Sequence, residues 1–287
     1  ALTPLFFGFL YYLGSRLNPC RGGYLAVLLF ATVPLLWMNA NGAGFELLNL
    51  VLLAGAVAAA WQYLQKPDGL RLNTLLLVTV FLAQTRYESV LYVFATAAVV
   101  FVGWYRSGGI RLTWTAAAVP LLLLCFPLQQ IVFSEYPELW QLKKGSEAPF
   151  ALGHISQNLE HAANFFFAWN RGMPNSFLLS VGFCLALVFA AIPVLRTGAA
   201  GGGPPVWRRP IPAACLAFGA VSVANFFLLM AYHWGQLDDI IATRIVLPFL
   251  LLQVLVCVWI CGRARRPALV TGLAIAVTVV FFLGRTR

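Results

Sequence analysis

Three polar groups stand out because apolar sequence encloses them. The first is Thr85-Arg86-Tyr87-Glu88-Ser89, which separates two apolar stretches without an ordinary loop around it. Charged side chains at the rim of a membrane or inside it are costly, and they mark an internal ion pair or a path for a polar substrate. Arg86 and Glu88 can satisfy each other. Arg86 beside Tyr87 also suits a phosphate whose apolar tail stays in lipid, because a planar guanidinium meets phosphate oxygens in pairs. The second group is the turn from Met38 to Glu46, Met-Asn-Ala-Asn-Gly-Ala-Gly-Phe-Glu. Asn39 or Asn41 can cap the helix that follows, with Glu46 near its positive N-terminus. As a rim carboxylate, Glu46 can instead accept hydrogen bonds from ligand hydroxyls, orient an arginine or hold a cation.

The third group is the connection Tyr232-His-Trp-Gly-Gln-Leu-Asp-Asp-Ile-Ile-Ala-Thr-Arg244, which gathers His233, Asp238, Asp239 and Arg244. Such a set can bind an anion, position a base or coordinate a cation, or it can be a solvated loop with an Asp–Arg pair. Adjacent aspartates on a helix point in different directions, so their spacing does not imply a paired acid and base. Asp238 or Asp239 is expected to matter more than Glu46, whose capping position already gives it a structural role. Lys143 and Lys144 with Glu147 read as a solvated charge cluster. The six cysteines are scattered; Cys257 and Cys261 share a helix face but have no further ligand nearby, so neither a metal site nor a cofactor is expected.

Membrane helices must hold these residues in place. The chain has 287 residues, 61% hydrophobic and 10% charged, with a mean hydropathy of +0.83, whereas soluble domains run about 45–50% apolar and about 25% charged. A soluble globular fold is excluded, because so few charges cannot cover that much apolar surface. The net charge of +10 does not indicate nucleic acid, since the basic residues occur in twos and threes between apolar runs. A ruler of about 20 apolar residues per crossing divides the chain into about ten runs: 2–15, 23–38, 43–64, 72–85, 88–105, 112–133, 176–195, 211–232, 245–262 and 268–284. They lack the period-two alternation of barrel strands, so the expected fold class is all-α, a polytopic transmembrane helix bundle forming a single domain over 1–287.

The charges alternate between successive connections. Arg16, Arg21, Lys66, Arg71, Arg106, Arg111, Arg196, Arg208, Arg209, Arg263, Arg265 and Arg266 fall on one side, and eight of the nine acids fall on the other. Lys and Arg in short loops mark the cytoplasmic side, which places the acids and all three histidines outside. The segment 134–175 is then an outer-face loop with an amphipathic stretch from His154 to Phe167, either an interfacial helix or a ligand-facing loop. The segment 197–210, rich in Gly and Pro, reads as a cytoplasmic linker.

These residues carry a resemblance to the GT-C fold glycosyltransferases, particularly bacterial relatives of the protein O-mannosyltransferases and the lipid A aminoarabinose transferases. The similar features are Leu-Gly-Ser-Arg at Leu13 to Arg16, the run from Pro34 to an outer turn with an acid at Glu46, Thr-Arg-Tyr at 85–87, and Arg244-Ile-Val-Leu-Pro248. The family often has Thr-Lys-Tyr at the third place and Arg-Tyr-Leu-Leu-Pro at the last. The resemblance covers most of the chain. It implies transfer of a hexosyl or pentosyl group from a polyprenyl-phosphate donor to a glycan, lipid or protein acceptor on the extracytoplasmic face of a plasma or bacterial inner membrane.

Arg86, Tyr87, His233 and Arg244 are the candidate substrate-binding residues, and Asp238, Asp239, Glu46 and Glu88 the candidate carboxylates. The family's principal catalytic acid lies in a first outer loop, which here would precede Ala1. The competing classes are a multi-span transporter or flippase and a noncatalytic membrane subunit. Transporters favour internal repeats and helices broken near the midplane. No convincing repeat is visible, and the charges sit at the rim.

Overall fold

The computed structural model describes residues 2–40, 45–134, 148–169, 174–197 and 209–285. Every apolar run is helical within these bounds, as expected where lipid leaves each backbone N–H and C=O to pair inside its own segment. Helix α1 covers Leu2–Leu17, α2 Gly22–Ala31, α3 Pro34–Ala40, α4 Glu46–Gln65, α5 Gly69–Thr85 and α6 Tyr92–Ser107, the last entered through a 3-10 turn at Tyr87–Leu91. Then follow α7 Trp114–Ala118, α8 Cys125–Ser134, α9 Gly153–Phe167, α10 Phe177–Thr197, α11 Pro210–Met230, α12 Ile240–Thr243, α13 Leu247–Arg263 and α14 Pro267–Arg285. Among the described residues there is no strand, only an isolated bridge between Phe150 and Tyr232.

Two of the expected runs are interrupted, both at prolines. Pro34 lacks an N–H and disfavours helical geometry at the residue before it, so α2 stops at Ala31 and α3 leaves at 77°. The run 112–133 contains Pro120 and Pro127 and folds as α7, a 3-10 segment Val119–Leu124 and α8. Five helical segments are long and apolar enough to cross a membrane: Glu46–Gln65, Tyr87–Ser107, Pro210–Met230, Arg244–Arg263 and Pro267–Gly284. Counting α2 with α3 as one bent span makes six. The chain is thus an all-α membrane protein, and the expected ten crossings are not reached on this measure. Helix α1 shows why: its 16 residues extend about 24 Å, short of a hydrocarbon core of about 30 Å.

Helix α4 occupies the middle of the bundle. It has no single apolar stripe and 78% of its window is buried, from Leu47 through Ala54 and Ala60 to Leu64, the signature of a central rather than an amphipathic helix. Small residues bring α1 and α2 together: a Cβ on Gly14 would lie 2.7 Å from the Gly22 carbonyl oxygen, and one on Gly22 would lie 2.5 Å from that of Gly14. Hydroxyl pairs tie further helices, Thr79 to Thr96 at 2.7 Å and Tyr92 to Ser222 at 3.0 Å, the kind of polar link that joins helices in lipid. Helix α14 is the outermost of the candidate spans, with 11% of its window buried.

The bundle has two chemically distinct ends. Arg16 lies over the Trp61 ring, Asn18 donates to Thr271, Arg106 donates to the Leu64 carbonyl and Gly262 adjoins Asn18. These contacts bring the ends of α1, α4, α6 and α13 together with the start of α14. At the opposite end Glu46 meets Arg86 and Arg244, and Thr32 meets Ser176. Among the described residues, Arg16, Lys66, Arg71, Arg106, Arg111 and Arg263 belong to the first end, and Glu46, Glu88 and Asp238, together with Arg86 and Arg244, to the second. Of the expected cytoplasmic linker 197–210 and the outer loop 134–175, residues 198–208, 135–147 and 170–173 lie outside the described residues, and with them Lys143, Lys144, Glu147 and Arg208.

Candidate functional site

The acidic end is organised around Glu46, the first residue of α4. Its side chain is 5% exposed, and Oε1 takes the Arg86 Nη1 at 2.9 Å and the Arg244 Nη1 at 3.3 Å. Oε2 is buried and has no hydrogen-bond partner among the described residues. Arg86 ends α5 in extended backbone geometry, which turns its side chain across to α4, and its Nε donates to Glu88. The arrangement therefore alternates two carboxylates with two guanidiniums, Glu88–Arg86–Glu46–Arg244, at the meeting point of α4, α5 and the 3-10 entry to α13.

One turn into α4, Asn49 completes the attachment. Its Oδ1 accepts the Thr85 hydroxyl and the Ser89 hydroxyl, each at 2.8 Å. Glu46 and Asn49 stand three apart and so share a helix face, and Thr85, Arg86 and Ser89 all bind to that face. The tight turn at 85–89 is thereby fixed by side-chain hydrogen bonds rather than by an ordinary loop. The capping roles expected for the turn before α4 are not seen among the described residues. Phe45 holds the cap position without a side-chain bond, Asn39 donates back to the Leu35 carbonyl of its own helix, and Asn41 lies outside the described residues.

The 231–239 connection is organised separately, beneath α9. The Ala151 N–H donates to the Ala231 carbonyl and the His233 N–H to that of Pro149, while Asn158 of α9 donates to the carbonyls of Met230 and Tyr232 at 2.9 and 2.8 Å. Asn158 thus satisfies the Met230 carbonyl, which the end of α11 leaves open, and shares the Tyr232 carbonyl with the Gly235 N–H. Asp238 pairs with His161 of α9, Oδ2 to Nδ1 at 2.7 Å. His233 is buried with Nδ1 3.2 Å from the Pro149 carbonyl oxygen, and its Nε2 has no partner among the described residues. Asp239 is exposed at the start of α12, where its carbonyl accepts the N–H groups of Ala242 and Thr243. Burial against this layer raises the Tyr232 phenol above its ordinary range, so Tyr232 stays neutral beside the Phe150 ring.

Of the candidate residues, the structure brings together Glu46, Glu88, Arg86 and Arg244, and it places His233, Asp238 and Asp239 in the neighbouring layer under α9. Tyr87 is mostly exposed next to Arg86. Asn49 and His161 were missed in the sequence. Asn49 had a readable signal, its spacing from Glu46 on one face, whereas nothing local marks His161 as the partner of a residue 77 positions away. Chemically, two guanidiniums converging on one oxygen form a site for a single anion, which Glu46 itself occupies, and the free Oε2 is an acceptor for an O–H or N–H donor. Among the described residues no group of three or more His, Cys, Asp and Glu side chains is placed to hold a metal ion. Comparison with known proteins finds no matching family model, no matching curated protein and no matching solved structure.

Proposed function

We propose that this chain is the membrane part of a GT-C-like glycosyltransferase that moves a sugar from a polyprenyl-phosphate donor to an acceptor at the acidic end of the bundle. The observation that carries the reading is the convergence of Arg86 and Arg244 on one oxygen of a buried carboxylate whose second oxygen is unpartnered. Guanidiniums so placed suit a phosphate whose polyprenyl chain remains in lipid, and a neighbouring carboxylate oxygen suits sugar hydroxyls. In this reading ten helical passages cross the membrane, the short ones by local thinning of the bilayer and snorkelling of flanking residues, and the acidic end faces out of the cytoplasm because the basic connections stay inside.

The test is binding and transfer by the full-length protein in nanodiscs. Arg86→Ala and Arg244→Ala should each weaken binding of a polyprenyl-phosphate sugar by about tenfold or more, the value of a charge-assisted hydrogen bond of about 1.5–3 kcal/mol. Glu46→Gln should lower transfer. If the parent binds no such donor, or both arginine variants bind it as the parent does, the reading is abandoned.

A transporter draws on one observation, the 77° break between α2 and α3. The break is placed by the Thr32 hydroxyl, 2.6 Å from that of Ser176 just before α10. This level at the end of the bundle fits a rim enzyme better than a midplane substrate site.

A further inference from the structure

The opposite end of the bundle holds a second cluster of charge, independent of the acidic site and of the reading given to it. Lys66 follows α4, Arg71 lies in the first turn of α5, Arg106 in the last turn of α6, and Arg111 just beyond it. One acid stands among them, Asp68, and it is already engaged: its Oδ1 caps α5 through the Arg71 N–H at 2.9 Å and its Oδ2 pairs with the Arg71 guanidinium at 3.3 Å. Arg106 is drawn over the end of α4 by donating to the Leu64 carbonyl at 3.1 Å. Arg111 is brought back by the turn after α6, where Gly108 takes a left-handed φ of 68° and the Trp104 indole donates to the Arg111 carbonyl at 3.2 Å. The side chains of Lys66 and Arg111 make no hydrogen bond or ion pair with any described residue.

Beneath these cations lies a polar atom without a partner. Tyr63 is 1% exposed, and its hydroxyl has no hydrogen-bond partner among the described residues. It packs against α6 at Gly103, where only the absence of a side chain lets the ring approach: a Cβ there would be 2.8 Å from the hydroxyl. Arg106 follows Gly103 by three residues, hence on the same face of α6. A buried phenol with no acceptor is an open donor at a place where nearly every other charge is positive.

We propose that this niche between the ends of α4, α5 and α6 binds the phosphate of an anionic phospholipid headgroup from the leaflet at the basic end. The phosphate oxygens would take donors from Arg106, Arg111 and the Tyr63 hydroxyl, with Lys66 adding charge. The acyl chains would lie along exposed apolar surface of the same elements, such as Tyr105 and Trp114. Charge complementarity selects the lipid: a zwitterionic headgroup brings its own ammonium into a site that already holds four cations against one acid. The general attraction of basic connections to an anionic leaflet is spread over all of them, whereas this niche is confined and saturable.

The experiment is thermal unfolding of the full chain in phosphatidylcholine nanodiscs with increasing phosphatidylglycerol, with retained lipid counted by native mass spectrometry. Phosphatidylglycerol should stabilise the parent saturably, with one lipid retained. Arg106→Gln with Arg111→Gln should weaken the apparent affinity about tenfold or more, and Tyr63→Phe, which removes only the hydroxyl, should weaken it measurably while leaving stability in pure phosphatidylcholine near that of the parent. Arg265→Ala with Arg266→Ala, at the same end but outside the niche, should leave the affinity unchanged. Equal loss in the Arg265/Arg266 variant overturns the proposal in favour of diffuse surface charge, and equal stabilisation by inorganic phosphate overturns it in favour of a free anion. No effect of phosphatidylglycerol on the parent, or parent-like affinity in Tyr63→Phe, also overturns it.

Discussion

The coupling between Glu46 and its two arginines can be ranked from exposure alone. Arg86 is 19% exposed and reaches Glu46 at 2.9 Å, while Arg244 is 41% exposed and reaches the same oxygen at 3.3 Å. Breaking a buried pair strands a charge and costs about 3–5 kcal/mol, but part of that is the penalty on the partner left behind. Arg86 keeps Glu88 when Glu46 is neutralised, so the loss for Glu46→Gln should be nearer the value of one charge-assisted hydrogen bond, about 1.5–3 kcal/mol. The Arg244 contact, screened by solvent, should contribute less than about 1 kcal/mol.

Double-mutant cycles separate the two. With Glu46→Gln combined in turn with Arg86→Gln and Arg244→Gln, unfolding is followed in mixed micelles at low and high salt. The Arg86 coupling should be at least twice the Arg244 coupling and nearly independent of salt, and the Arg244 coupling should fall as salt rises. Equal couplings, or an Arg86 coupling indistinguishable from zero, would refute the argument that burial makes Glu46 the organising residue of this end.

The remaining predictions concern packing and topology. Gly22→Ala should destabilise by about 1–3 kcal/mol, because its new methyl would sit 2.5 Å from the Gly14 carbonyl oxygen in a well-packed contact; Gly8→Ala, with nothing within 4 Å, should be neutral or stabilise by up to about 1 kcal/mol through helix propensity, both read by the same unfolding assay. Asn158→Ala should cost about 1–2 kcal/mol by leaving the Met230 carbonyl without this donor, the Tyr232 carbonyl keeping the Gly235 N–H, whereas Asp238→Asn, at an exposed pair, should cost about 0.2–1 kcal/mol. Single cysteines at Gln157 and Gly109, in a background without the native cysteines, should label from opposite sides of the membrane in intact cells, the former from outside; labelling of both from one side would end the topology.

Some of this protein is decided locally along the chain. That it is a helical membrane protein follows from run length and composition, because in lipid the apolar stretch and the helix are the same object. The alternation of basic and acidic connections follows as well, and among the described residues most of those charges fall at two opposite ends, Arg86 and Arg244 joining the acids. Individual boundaries were legible for the same reason: α5 ends at Thr85 and α14 begins at Pro267, each where a charged or proline-marked turn interrupts the run, and α9 covers the amphipathic stretch expected from His154. The 77° departure of α3 was missed because Pro34 was read inside an unbroken apolar stretch, although the proline itself carries the reason.

The candidate site was legible only in its membership. Arg86, Glu88, Glu46 and Arg244 were visible as charges out of place, but their spacing could not say that Glu46 would be shared by two arginines, nor that Asp238 would turn away to His161. Those choices depend on which helix ends meet, and residues 40 and 77 positions apart come within hydrogen-bond distance only through the packing of helices whose outward faces are nearly uniform in hydrophobicity. Glu46 looked like a helix-start acid because macrodipole and ion pair favour the same residue at the same place. Only the tertiary structure, by burying it between α5 and the entry to α13, decides that the ion pair dominates.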